Sequence, residues 1–138
     1  MNTRTDYLIR VIDQMCAFML QVAHLLQKNQ LDEAQEVINT ALRQLAGMDP
    51  KMLDMFPAEE IIRLFSQNGD HVNIFYMAEF LKLKAEVYRM KKETTDYEMT
   101  ARKALALYTY SATQLKDGKL LAQCSAATAE IKGWLVSA

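Results

Sequence analysis

The sequence predicts an all-α fold, a right-handed stack of antiparallel helix pairs with about five to seven helices. Three observations carry this expectation. Apolar residues recur at steps of three and four along the whole chain, and no alternating run bounded by turn residues marks a strand. Four glycines and two prolines leave few places to turn, so the elements between them must be long. The segment Leu31 to Ala41 returns in degraded form as Asp96 to Ala104, each copy following an apolar helix and a short polar turn. A chain of 138 residues, 51% hydrophobic, can bury a core of its own and reads as one domain over 1–138.

The first helix pair is expected over 6–46. Leu8, Val11, Ile12, Met15, Phe18, Met19, Val22, Leu25 and Leu26 form one stripe and set a helix over 6–28, with Thr5 or Asp6 as N-cap. After the turn Lys28-Asn29-Gln30, a helix over 31–46 buries Ala34, Val37, Ile38, Ala41, Leu42 and Leu45. Asp32 and Glu33 suit the positive end of its dipole, and Gly47 ends it in the left-handed conformation.

The stretch 47–70 is irregular. Asp49 caps a short helix that begins at Pro50, and Pro57 restarts the chain into a helix over 58–66. Gly69 stops that helix and Asp70 caps the next. The helix over 71–91 opens the second pair, 71–114. One apolar stripe on it runs through Ile74, Met77, Ala78, Leu81, Ala85 and Tyr88, and another through Tyr76, Phe80, Leu83, Val87 and Met90. A helix apolar on two sides belongs between neighbours, which places it at the centre of the stack. Thr94, Thr95 or Asp96 caps the following helix, and Lys116-Asp117-Gly118 turns into a terminal helix, so that 117–136 completes the chain. Its small residues Ala122, Ser125, Ala126 and Ala129 would let a neighbouring helix approach closely.

Charge and cysteine content narrow the function classes. Sixteen basic and seventeen acidic residues leave a net charge of −1, so no global field recruits nucleic acid. Two widely spaced cysteines, Cys16 and Cys124, suggest reduced thiols in a cytoplasmic protein. The first ten residues lack the apolar core of a signal peptide, and no window holds ~18 uninterrupted apolar residues, so no membrane partner is expected.

The helix pairs resemble tetratricopeptide units, whose period is roughly 34 residues. Ala85 and Tyr88 stand where the first helix of that repeat prefers a small residue and a tyrosine, and Ala34, Ala41 and Ala104 match second-helix alanines. Tyr97, Val22 and Leu25 depart from the pattern, and 47–70 matches no repeat. The opening Asp6-Tyr7-Leu8-Ile9-Arg10-Val11-Ile12, the helix from Leu31 to Leu45 and the helix from Glu79 to Tyr88 also resemble a family of small, uncharacterised, all-helical bacterial proteins, mostly from Gram-positive species. That resemblance implies the fold and brings no catalytic residues.

Chemistry-bearing constellations are sparse. His24 has no ligand type three or four residues away, and Glu59-Glu60 sits where acids complement a helix start, so neither a metal site nor a cofactor is expected. No glycine-framed nucleophile and no phosphate loop occur, which argues against an enzyme. Met48, Met52 and Met55 gather with Phe56 in the irregular stretch; filling awkward core gaps is the first reading and an adaptable binding surface the second.

Glu79, Lys82, Glu86 and Arg89 share one helix face, and by analogy with tetratricopeptide stacks they would line a groove opposite Met19 and Leu26. This predicts non-catalytic binding of a protein or peptide; the competing possibilities are a ladder of surface ion pairs and a small-ligand or enzymatic site assembled across helices. The stripe Tyr76, Phe80, Leu83, Val87 and Met90 is the candidate interface for a homodimer or partner.

Overall fold

The computed structural model describes residues 3–67, 69 and 71–137, and of 3–5 and 137 it describes only the backbone. Over these residues the chain is all-α, with seven helices and no strand: α1 (Thr3–Gln27), α2 (Leu31–Ala46), α3 (Pro50–Met55), α4 (Ala58–Ser66), α5 (His71–Met90), α6 (Thr94–Gln114) and α7 (Gly118–Ser137).

Several ends follow the expected chemistry. Gly47 has φ +68° and donates its N–H to the Arg43 carbonyl at 2.8 Å, closing α2. The Asp49 carboxylate accepts from Lys51 N–H at 2.8 Å, and Pro50 opens α3. Gly69, at φ +71°, follows α4. Asp70, the expected cap of α5, lies outside the described residues.

Other ends differ. Thr5 and Asp6 sit inside α1, which runs back to Thr3. Thr94, Thr95 and Asp96 sit inside α6, which starts after Glu93 without a side-chain cap. The reason is the turn: Lys92 takes φ +64°, Glu93 N–H returns to the Tyr88 carbonyl at 2.9 Å, and α6 begins at once. At α7 the Asp117 carboxylate accepts from Lys119 and Leu120 N–H at 2.8 and 3.1 Å, so the helix begins at Gly118.

Short turns make α1 and α2 antiparallel, and likewise α5 and α6. At the end of α5, Lys91 Nζ donates to Asp32 Oδ1 at 2.6 Å and Gln35 Oε1 at 3.0 Å at the start of α2, so α2 and α5 are also antiparallel. Hence α1 runs parallel to α5. On α7, Glu130 and Trp134 meet Lys82 and Arg89 in the same order along the chain, so α7 runs parallel to both. Three like-directed helices, α1, α5 and α7, therefore alternate with α2 and α6. The short α3 and α4 connect the two pairs, with α3 against α2 and α4 against α5 and α6.

The core centres on α5, which packs between α2 and α6. Ile74, Phe75, Met77, Ala78, Leu81 and Ala85 are all buried on it, and Tyr88 is half-buried. This burial corrects the candidate interface. Tyr76, Phe80 and Val87 are inside the monomer at 3%, 0% and 0% exposure, because the neighbours on both sides of α5 already cover the second stripe. Only Leu83, half-buried, and Met90, 41% exposed, reach the surface.

Helix α1 is the least covered of the long helices. Met15 and Val22 are its buried anchors, while Tyr7, Ile9 and Leu20 face outward. By length and composition Asp6–Gln27, in which an 18-residue window has mean hydropathy 1.3, could cross a membrane. Arg10, Asp13 and His24 interrupt it, so the average is apolar although no uninterrupted run exists.

Candidate functional site

The face shared by α1, α5 and α7 contains the expected groove residues. Successive residues turn by 100° around a helix. On α5 this puts Leu83 toward α1, Lys82 and Arg89 toward α7, and Glu79, Glu86 and Met90 between them. On α1, Cys16 adjoins the Tyr76 hydroxyl, and burial together with that thiol pushes Tyr76 up to about 12. Met19 lies one turn beyond Cys16 and Leu26 two turns further, both half-buried.

Toward α7 the α5 side chains are tied down. Lys82 Nζ pairs with Glu130 Oε2 at 3.0 Å and more loosely with Glu86 Oε1 at 3.9 Å. Lys82 and Arg89 both lie over the Trp134 ring, at 5.4 and 5.7 Å from its centre, and Tyr97 tilts against the same ring. The Tyr108 hydroxyl donates to Glu79 Oε1. Burial raises Glu79 above the usual carboxylate range, against the lowering effect of the Tyr108 hydrogen bond and the Lys82 charge. It raises Glu86 as well, against Lys82 and Arg89.

The four charged residues are therefore more than a ladder along one helix. They form a layer that fastens α7 to the rest of the stack. Its α6 and α7 members, Tyr108, Glu130 and Trp134, escape sequence reasoning because helical spacing reveals neighbours on the same helix only. The single tryptophan is the one visible clue, since an indole with a nearby cation tends to be held in place.

Elsewhere the expected sites fall as follows. His24 is exposed, and His71 Nδ1 lies 3.3 Å from the Tyr110 hydroxyl. Among the described residues no three His, Cys, Asp or Glu side chains gather as metal ligands. Glu60 pairs with Arg63 at 2.7 Å on the surface. Cys16 is exposed and Cys124 buried; burial, with Glu79 nearby, pushes the Cys124 thiol up to about 11. Met52 and Met55 correct the core-filling reading. They are 53% and 81% exposed, because Pro50 and Leu53 take the inward face of the six-residue α3, whereas Met48 and Phe56 do pack against the core.

Two open grooves run between paired helices, about 530 Å³ against α1 and α2 around Phe18, Leu25 and Val37, and about 480 Å³ against α6 and α7 around Ala112, Leu121 and Ala129. A smaller crevice of about 120 Å³ lies where Asp54, Tyr88, Asp96, Met99, Thr100 and Lys103 converge. Comparison with protein-family models, curated protein sequences and solved structures finds no match to the chain.

Proposed function

We propose that this chain is a non-catalytic, tetratricopeptide-like interaction module that binds a protein or peptide segment along the α1–α5–α7 face. The supporting observation is the mixed character of that face. One side offers the half-buried aliphatic chains of Met19, Leu26 and Leu83, the other a tryptophan flanked by cations, with Glu79, Glu86 and Met90 between. Apolar anchors and charges side by side are what recognition of an extended or helical segment requires. The reading includes a cytoplasmic protein working without nucleic acid, membrane or cofactor. A second copy is one candidate partner, meeting the surface left at Leu83 and Met90.

A second reading, a small-ligand or enzymatic site assembled across helices, has one observation in its favour: the polar crevice at Lys103, where burial lowers the lysine against the raising influence of Asp54. Its volume suits a side-chain tip better than a metabolite.

Affinity capture tests the main reading. Met90 is exposed on this face and takes no part in the contacts to Trp134, so Met90→Glu alters the face at little cost to folding. Loss of the captured partner, with an unchanged circular-dichroism spectrum, is expected. Recovery of the same partners at the same yield would show that this face does not bind them.

A further inference from the structure

The outer side of α7 carries a helix-pairing pattern that no helix among the described residues covers. Cys124, Ala127 and Ile131 are buried on its inner side, whereas Ala122, Ser125, Ala126 and Ala129, the small residues that should admit a neighbouring helix, are exposed. Ala122, Ser125, Ala129, Lys132 and Val136 follow steps of three and four residues, the spacing of a coiled-coil seam. Val136 is 87% exposed, and only three of the 20 residues of α7 are charged. A helix apolar on two sides belongs between neighbours, as α5 does. Beside the seam an open groove of about 480 Å³ runs between α7 and α6, with Leu121, Ser125, Ala129 and Lys132 on one wall and Thr109 and Ala112 on the other. Such short side chains let a further helix lie close, in dispersion contact along its length.

The charges identify that helix. Lys119 and Glu130 lie on one flank of the seam, while Asp117 and Lys132 stand toward its two ends. Each pair joins opposite signs, and both pairs are centred between Cys124 and Ser125. An antiparallel second α7, related by a two-fold axis at that centre, therefore sets Lys119 against Glu130 and Asp117 against Lys132, each twice. A parallel copy would set every one of them against its own sign. The groups are free to pair in this way. Lys119 and Lys132 are exposed and have no ion pair among the described residues. Glu130 turns one oxygen to Lys82 and keeps its side chain 49% exposed. Asp117 uses only Oδ1 at the start of α7.

We infer that two copies of this chain join through antiparallel α7 helices, each seated along the other's α6–α7 groove, with the two-fold axis beside Ser125. The two helices overlap from Asp117 to Lys132, roughly 22 Å at 1.5 Å per residue. An overlap of that length gives contact at the small end of specific interfaces, so the dimer should form at tens of micromolar, about the range of weak reversible assembly. The inference uses neither Leu83 nor Met90, and it is independent of the binding proposed for the α1–α5–α7 face.

Sedimentation equilibrium of the full chain, taken to about 200 μM, tests the association, and cysteine crosslinking tests its geometry. A monomer–dimer equilibrium is expected. Ser125→Arg, which sets two like charges beside the axis, should weaken it at least about tenfold, and Met90→Glu should leave it unchanged. If Ser125→Arg alters the circular-dichroism spectrum, Ala129→Arg at the next exposed seam position gives the same reading. With Cys16→Ser in place, Ser125→Cys should link two copies by a disulfide under oxidised glutathione. Lys132→Cys should not, because its two copies lie roughly 22 Å apart, far beyond disulfide reach. A monomer throughout, a dimer indifferent to both arginine variants, or crosslinking at position 132 as readily as at 125 overturns the inference. A dimer broken by Met90→Glu and not by Ser125→Arg overturns it in favour of the surface at Leu83 and Met90.

Discussion

Glu79 and Ser111 show how single residues carry different costs. Burial raises Glu79 and Glu86 above their unfolded value of 4.5, so the folded chain binds their protons more readily than the unfolded chain. Their contribution to stability is therefore fully present at low pH and is lost as pH rises from 4.5 through the raised folded values. Glu79→Gln keeps an acceptor for the Tyr108 hydroxyl and removes the titration. It should raise the urea midpoint at pH 8 and flatten the dependence of stability on pH in that window; a steeper dependence would contradict the sign. Ser111 is fully buried, and its Oγ has no hydrogen-bond partner among the described residues. Ser111→Ala should be neutral or stabilising by up to about 1 kcal/mol in the same assay. Neither cost was legible in the sequence. Glu79 reads there as a surface acid on a polar stripe, and its burial arises from α6 and α7, which chain spacing does not place.

Elements were far more legible, because their signals are local. Gly47 and Asp49-Pro50 act where the sequence puts them, through backbone conformation or a carboxylate at a helix start, while Asp117, read only as part of a turn, also caps a helix. Their failures were at Thr5 and Asp6, which lie inside α1, and at Thr94, Thr95 and Asp96, which lie inside α6, whose start is set by the preceding turn. Gly47 offers a clean test. A methyl group added there meets nothing within 4 Å, but φ is +68°, so Gly47→Ala isolates the backbone strain. A loss of about 1–2 kcal/mol in chemical denaturation is expected, and no change would mean the α2 terminus adapts. Ala85 is fully buried where α5 packs between its neighbours. Ala85→Leu should overpack the site and cost about 1–3 kcal/mol, measured as a lower denaturation midpoint.

At the scale of the whole molecule, two-sided burial of α5 was legible from its two apolar stripes, yet the same stripes misled about assembly. A second stripe reads equally well as an interface or as contact with another helix of the same chain, and Phe80 and Val87 prove to be core. The direction of α1, α5 and α7, and hence the face they share, emerges from contacts distant in sequence, such as Lys91 with Asp32 and Lys82 with Glu130. Trp134, the single tryptophan, reports directly on the docking of α7. Lys82→Met should weaken the ion pair to Glu130 and the cation contact, shifting Trp134 emission to longer wavelength; an unchanged spectrum would mean the indole is held by Tyr97 and Arg89 alone.

The proposed partner lies along the α1–α5–α7 face. Site-specific photo-crosslinking in the cells that make the protein tests it most directly. A photoreactive residue at the exposed position of Met90, on that face, is compared with one at exposed Arg43 on α2. A discrete heavier adduct from position 90 and none from position 43 is the predicted result. Silence from position 90, or the same adducts from both positions, would mean that no partner binds along this face.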